Sequence, residues 1–147
     1  ANIAEVAKSL AVVLAAASGD DLNDYTGCLD AMDGEWFESS VCYLAYREVL
    51  DPKIDSFDPN WIVTRAEAVV LFFDVYEAGG GEILLVPQDV PYVDVDELSW
   101  YYPSLVQIAK LGIPDVAGWR GKKFKPAANL TVGQLRNWSR NLDRVLR

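Results

Sequence analysis

Asp94, Asp96 and Glu97 stand close together beside Tyr92, Trp100 and Tyr101. Two carboxylates flanking a sugar can hydrolyse a glycosidic bond, so this stretch holds the parts for acid–base chemistry. Acids just ahead of a helix are more often caps and partners of the helix dipole. The chain has no histidine, and no hydroxyl or thiol is paired with a base, so catalysis is not expected. A second acidic group, Asp20, Asp21, Asn23, Asp24, Asp30 and Asp33, lies in a polar loop over roughly 19–34. Its oxygens suit calcium by type, but their spacing does not match an EF-hand loop. Turn and capping roles are expected, with no metal and no cofactor. Cys28 and Cys42 belong to no Cys-x-x-Cys pair. In an oxidising compartment they would form one disulfide across a short loop; two buried thiols are the alternative.

The cations tell more than the acids. Net charge is −9, which argues against nucleic acid as a partner. Residues 1–109 carry 4 basic and 20 acidic side chains, a balance of −16, whereas residues 110–147 carry 9 basic and 2 acidic, a balance of +7. Arg120, Lys122, Lys123 and Lys125 crowd one loop, and Arg136, Arg140 and Arg144 recur every fourth residue as a ridge along a helix. Such polarity steers head-to-tail association of copies, or offers a basic face to an anionic polymer. At 147 residues and 51% hydrophobic content the chain suits one globular domain over 1–147. No apolar run reaches the roughly 18 residues of a membrane span, since Glu5 and Lys8 interrupt the first stretch. The chain opens on Ala rather than Met, as a secreted protein does after its signal peptide is removed, so an extracellular or cell-surface place is expected.

Helices must position these groups. Asn2 and Glu5 form a capping box for a first helix over 1–18, with Ile3, Val6, Leu10, Val13, Leu14 and Ala17 in one apolar stripe and Ala4, Ala11 and Ala15 opposite. A helix of this kind is packed on two sides, within its own domain or between subunits. Ile3, Val6, Leu10, Val13 and Leu14 are therefore candidate assembly residues. A second helix is expected over roughly 36–50, with Phe37, Val41, Leu44, Ala45 and Val49 inward and Asp51-Pro52 as its stop. After the turn Phe57-Asp58-Pro59-Asn60, Thr64 and Glu67 cap a densely apolar third helix over roughly 64–77. Gly79-Gly80-Gly81 breaks the chain, and Ile83-Leu84-Leu85-Val86 reads as a short extended arm, packed locally or offered to a neighbour. A fourth helix runs from about Trp100 to Leu111 and stops at Gly112; a fifth begins at Thr131, with Leu135, Trp138, Leu142 and Val145 buried. Trp61, Trp119 and Trp138 are expected as core or interface anchors. The fold class is mainly α: helical hairpins with long loops and one short extended segment near 83–86.

One pattern occurs twice. Asp30, Trp36-Phe37, Ala45, Phe57-x-Pro59 and Thr64-x-x-Glu67 recur as Asp94, Trp100-Tyr101, Ala109, Phe124-x-Pro126 and Thr131-x-x-Gln134. Copy one spans 28–77, a Gly-rich linker with the arm spans 78–90, and copy two spans 91–147. Together with Tyr92-Val93-Asp94-Val95, Gly112-Ile113 and Thr64-Arg65-Ala66-Glu67, the pattern resembles the S-layer homology repeat. The resemblance implies helical hairpins grouped in threes and attachment to cell-wall polysaccharide, or a part in surface layers. It nominates Trp36, Arg65 and Trp100 as glycan contacts, with Arg120, Lys122, Lys123 and Lys125 as further cations for carboxylate or pyruvyl groups. Copy two departs from the family at Val132 and Gly133-Gln134, and the loop Lys53-Ile54-Asp55-Ser56 lacks the family's glycines. Asn2-x-x-Glu5 with its apolar tail matches Thr64-x-x-Glu67 with its own, which makes the first helix a possible half repeat. Its missing companion is a place that another subunit would fill. The expected function is a secreted structural protein that self-assembles into a filament, tube or surface layer. The alternative is a module that anchors a protein by binding anionic cell-wall polysaccharide.

Overall fold

The computed structural model describes residues 1–28, 34–51, 57–83, 90, 92–114 and 123–147. The chain is mainly helical, with α1 over Ile3–Ser18, α2 over Glu38–Tyr46, α3 over Arg65–Ala78, α4 over Tyr102–Lys110 and α5 over Val132–Leu146. No strand occurs among the described residues. Of the expected arm only Ile83 is described, and it is exposed; Leu84, Leu85 and Val86 lie outside the described residues, as do Asp30, Asp33, the loop 53–56, Trp119, Arg120 and Lys122.

Three of the helices start in the same way. Asn2, Thr64 and Thr131 each accept a hydrogen bond from the amide three residues on, and Glu5, Glu67 and Gln134 reach back to the capping residue's own amide. The residues just before these caps are Ala1, Val63 and Leu130. They close a ring of backbone hydrogen bonds: Val63 N–H donates to the Ala1 carbonyl at 3.0 Å, Leu130 N–H to the Val63 carbonyl at 2.8 Å, and the Ala1 amino group to the Leu130 carbonyl. The first turn of α1 gains two more acceptors, because Ile3 and Ala4 donate to the carbonyls of Trp61 and Pro59 at 2.7 and 3.3 Å. The turn of copy two serves α3 at the matching positions, with Arg65 and Ala66 donating to Ala128 and Pro126 at 2.8 and 3.0 Å. The orphan donors of both helix starts are thus met within the protein. At α5 no turn among the described residues takes this part, and Val132 and Gly133 are exposed.

Around the capped helices the two remaining helices are laid on the outside: α2 packs on α1 and α4 on α3, while α1 touches both α3 and α5. Arg47 at the end of α2 ties the far end together. Its guanidinium donates to Ser18 Oγ, Asp20 Oδ2, Tyr43 Oη and the Ala78 carbonyl, at 2.9, 3.2, 2.8 and 2.6 Å. Asp20 also accepts from Tyr43 Oη at 2.7 Å. Cys28 and Cys42 form a disulfide with their Cα atoms 5.6 Å apart, fixing the polar loop to α2. Glu38, buried at the start of α2, holds the same loop from within by accepting from the Gly27 and Gly34 amides at 3.1 and 3.4 Å.

The second helix is shorter than expected. It ends at Tyr46, ahead of Asp51-Pro52, because Glu48 turns into the left-handed region at φ 63 and Val49 N–H bonds back to the Leu44 carbonyl at 2.8 Å. The fourth helix ends identically, with Gly112 at φ 70 and Ile113 N–H bonded to the Ile108 carbonyl at 3.1 Å. Glycine adopts this conformation freely, and a side chain does not. Glu48→Gly should therefore raise the free energy of unfolding by up to about 1 kcal/mol, relief of crowding outweighing glycine's added freedom in the unfolded chain. Denaturant unfolding of the variant, read by circular dichroism, checks this.

Asp74 on α3 is half-buried, and burial, then the charge of Glu77, raises its pKa above the ordinary value. A carboxyl that is harder to ionise when folded penalises the native state once the unfolded chain has lost the proton. The penalty is absent below the ordinary carboxyl pKa, grows as pH climbs through the raised native value, and persists at neutral pH. Asp74→Asn should increase the melting temperature at pH 7, with the gain vanishing at about pH 3. Melting curves of both proteins across this range test the sign.

Candidate functional site

Of the three capped helices, α1 carries α2 and α3 carries α4, whereas no outer helix among the described residues packs on α5 to the same extent. Counting from the caps, Ala7, Leu10, Ala11 and Leu14 of α1 match Val69, Phe72, Phe73 and Tyr76 of α3 and Arg136, Ser139, Arg140 and Asp143 of α5. In α1 all four are buried, and in α3 all but the half-buried Phe73 are; these are the helices on which α2 and α4 pack. In α5 the corresponding four are polar and line an open groove of about 600 Å³ against Lys8, Val12, Val13 and Ala16 of α1. This is the third position, where no outer helix is found among the described residues. Polar residues there follow from physics, since an apolar stripe beside water costs roughly 25 cal/mol for each Å² left uncovered.

The groove combines charge with an apolar floor. Val132, Leu135 and Val13 form its apolar wall, and Trp36, 56% exposed, closes one end. Lys8 Nζ sits 5.5 Å from the Trp36 ring centroid, a cation–π contact. Of the acids here, Glu5 is occupied with the Asn2 amide at 2.9 Å and Asp143 with Arg147 at 3.0 Å. Arg136 and Arg140 make no ion pair among the described residues, and they leave the groove positive. The Ser139 hydroxyl oxygen is buried and has no hydrogen-bond partner among the described residues. Arg144, expected in the same ridge, is exposed but does not line the groove.

A second cavity, of about 370 Å³, brings Arg65, Lys123 and Lys125 together over Phe124 and Trp138. Arg65, nominated by the resemblance as a glycan contact, lines this cavity but is also held by the chain itself. It is 7% exposed, its Nε donates to the Phe124 carbonyl at 2.7 Å, and its guanidinium lies 4.7 Å from the Phe124 ring and 5.5 Å from that of Trp138. Burial lowers its pKa, opposed by the nearby Tyr92 and Asp94. Tyr92, its ring 4.9 Å from Phe124, is pushed up to about 12, chiefly by burial, and so stays a neutral phenol. Asp94 is likewise committed: its two oxygens accept from the Phe124 and Lys125 amides, both at 2.8 Å, holding Lys125 in the left-handed region at φ 58. Asp96 caps the Leu98 amide at 2.8 Å. The acidic stretch thus does turn chemistry. Among the described residues no group of carboxylates or thiols comes together to hold a metal ion.

Trp36 and Trp100 take equivalent places. Each is exposed and stands edge-on to the aromatic after it, Trp36 on Phe37 at 5.3 Å and 89°, Trp100 on Tyr101 at 5.4 Å and 87°. The structure keeps them apart from Arg65 and Lys123; neither lines that cavity. Trp138 is buried as an anchor, whereas Trp61 is exposed and donates from Nε1 to Glu67 Oε2 at 3.2 Å. The apolar stripe expected of the first helix faces inward. Val6, Leu10, Val13 and Leu14 are buried and Ile3 is partly buried, all against this chain's own core, because α1 is flanked by α2, α3 and α5. The groove itself escaped the sequence, although the arginine ridge was its signal: Arg136 and Arg140 stand where α1 and α3 are apolar. No helix among the described residues is long and apolar enough to cross a membrane.

No family model matches this chain, and no curated protein matches it.

Arg65→Ala strips a buried carbonyl of its donor and removes two ring contacts, which should cost about 2–4 kcal/mol of stability. Arg65→Lys keeps the charge without the planar stack and should fall between the two proteins. Urea unfolding midpoints of the three rank them; an Arg65→Ala midpoint equal to that of the parent would show that Arg65 is not a structural clamp.

Proposed function

We propose that the chain is a secreted structural protein of cell surfaces, built on the S-layer homology plan, that assembles with copies of itself into a filament, tube or layer. The observation that carries this reading is the open α1–α5 groove, with its apolar wall and with Arg136 and Arg140 making no ion pair among the described residues. Among the described residues two of the three capped helices carry an outer helix, so an occupant of the third place makes its contact on one face only. Joining such a face to a different face of the next copy propagates without closing unless the rotation completes a ring. The −16/+7 division of charge supports the same head-to-tail order. The Cys28–Cys42 disulfide suits an oxidising compartment.

The second cavity favours a different reading, a module for anionic wall polysaccharide, because Arg65, Lys123 and Lys125 converge there above aromatic rings. One set of preparations separates the two. The purified chain should form polymers visible by electron microscopy at low salt. These should shrink at roughly 0.5 M salt, where the Debye length falls to about 4 Å. A monodisperse monomer at every concentration that sediments with purified cell walls would replace assembly by glycan binding.

A further inference from the structure

The knuckle over 93–100, ahead of α4, carries acids where the groove carries cations. Leu98 is 89% exposed, and Val93 and Trp100 of the same short segment are exposed as well, Trp100 meeting Tyr101 only edge-on. Asp96 and Glu97 are exposed among them. The knuckle is also preformed: Asp96 holds the Leu98 amide through its carboxylate and the Ser99 amide through its carbonyl, at 2.8 and 3.0 Å, while Asp94 is pinned to the Phe124 and Lys125 amides. A preorganised tip loses little freedom on docking. Exposed apolar residues rimmed by charge mark an interaction surface.

We propose that the α1–α5 groove of one copy receives the Val93–Trp100 knuckle of the next, with Leu98 on the apolar floor and Asp96 and Glu97 facing Arg136 and Arg140. This rests on the assembly reading and names the two surfaces that meet. The groove supplies what the tip lacks: about 600 Å³ of open volume, apolar walls from Val132 and Leu135, and cations whose acidic neighbours are already occupied. Each copy carries one groove and one knuckle at different places on its surface, so the contact is heterologous and the chain of subunits is polar.

Reciprocal charge reversal tests it. Arg136→Glu/Arg140→Glu reverses the groove, and Asp96→Arg/Glu97→Arg reverses the knuckle; all four residues are exposed, and circular dichroism confirms folding. Each variant alone should assemble at least about tenfold more weakly in sedimentation velocity, and an equimolar mixture should recover polymers, since opposite faces again meet. Leu98→Ser, which alters no buried group, should weaken assembly by a similar factor. Polymers of the parent chain that persist in both reversals, or a mixture that recovers nothing, would overturn the pairing while leaving assembly intact. A parent chain that stays monomeric would sink assembly itself. Normal assembly of the Arg136→Glu/Arg140→Glu variant together with lost pelleting on polygalacturonate would reassign the groove to an anionic saccharide.

Discussion

The constraint on which the structure depends is the helix start. An α-helix leaves its first amides without partners, and a buried start must find acceptors for them. This chain solves the problem collectively. Each capping box satisfies two donors locally. The residues ahead of the boxes then satisfy one another in a ring, Ala1 to Leu130 to Val63 and back to Ala1. The ring links the first residue to the start of the last helix, so the three helix starts share one set of backbone hydrogen bonds. Packing of α1 against α3 and α5 follows from that shared origin.

The same constraint explains why the helices differ in sequence. Small alanines let α1 sit among α2, α3 and α5 at once, and they cost nothing in helix propensity. The third helix is apolar on most sides because it lies between α4 and the other capped helices. The last is apolar chiefly on the stripe of Leu135, Trp138 and Leu142, and among the described residues one of its flanks meets no outer helix. Three helices with one starting geometry thus carry three degrees of amphipathicity, each matched to how much of the helix is covered.

Features fixed by local chemistry were legible in the sequence. The three capping boxes, the glycine stop at Gly112 and the buried Trp138 each rest on residue type and short spacing, and the structure places them as expected. What escaped depends on contacts distant in sequence. Arg65 reads as a free cation until the Phe124 carbonyl and two rings are brought beneath it. Nothing in the spacing singles out Glu38 or Arg47, yet one holds a loop by two amides and the other joins the ends of α1, α2 and α3. The apolar stripe of α1 is a special case. Amphipathic spacing shows that a face is covered, but it does not say by which chain.

The irregularities of the second copy gain a physical cause from this geometry. Ile3, Arg65 and Val132 occupy the same first position of their helices. Arg65 is held there because the turn of copy two passes beneath α3 and offers the Phe124 carbonyl and ring; Ile3 lies over the turn of copy one. Beneath α5 no such turn runs among the described residues, and Val132 is 49% exposed. An arginine at that place would have no carbonyl to clamp. Glycine at 133 also fits a helix start that nothing covers, since only Thr131 Oγ1 approaches where its Cβ would be, at 3.9 Å. The two departures therefore mark the position where the three-way arrangement is left open, and the cations that the start of α5 lacks stand one and two turns further along, as Arg136 and Arg140 in the groove.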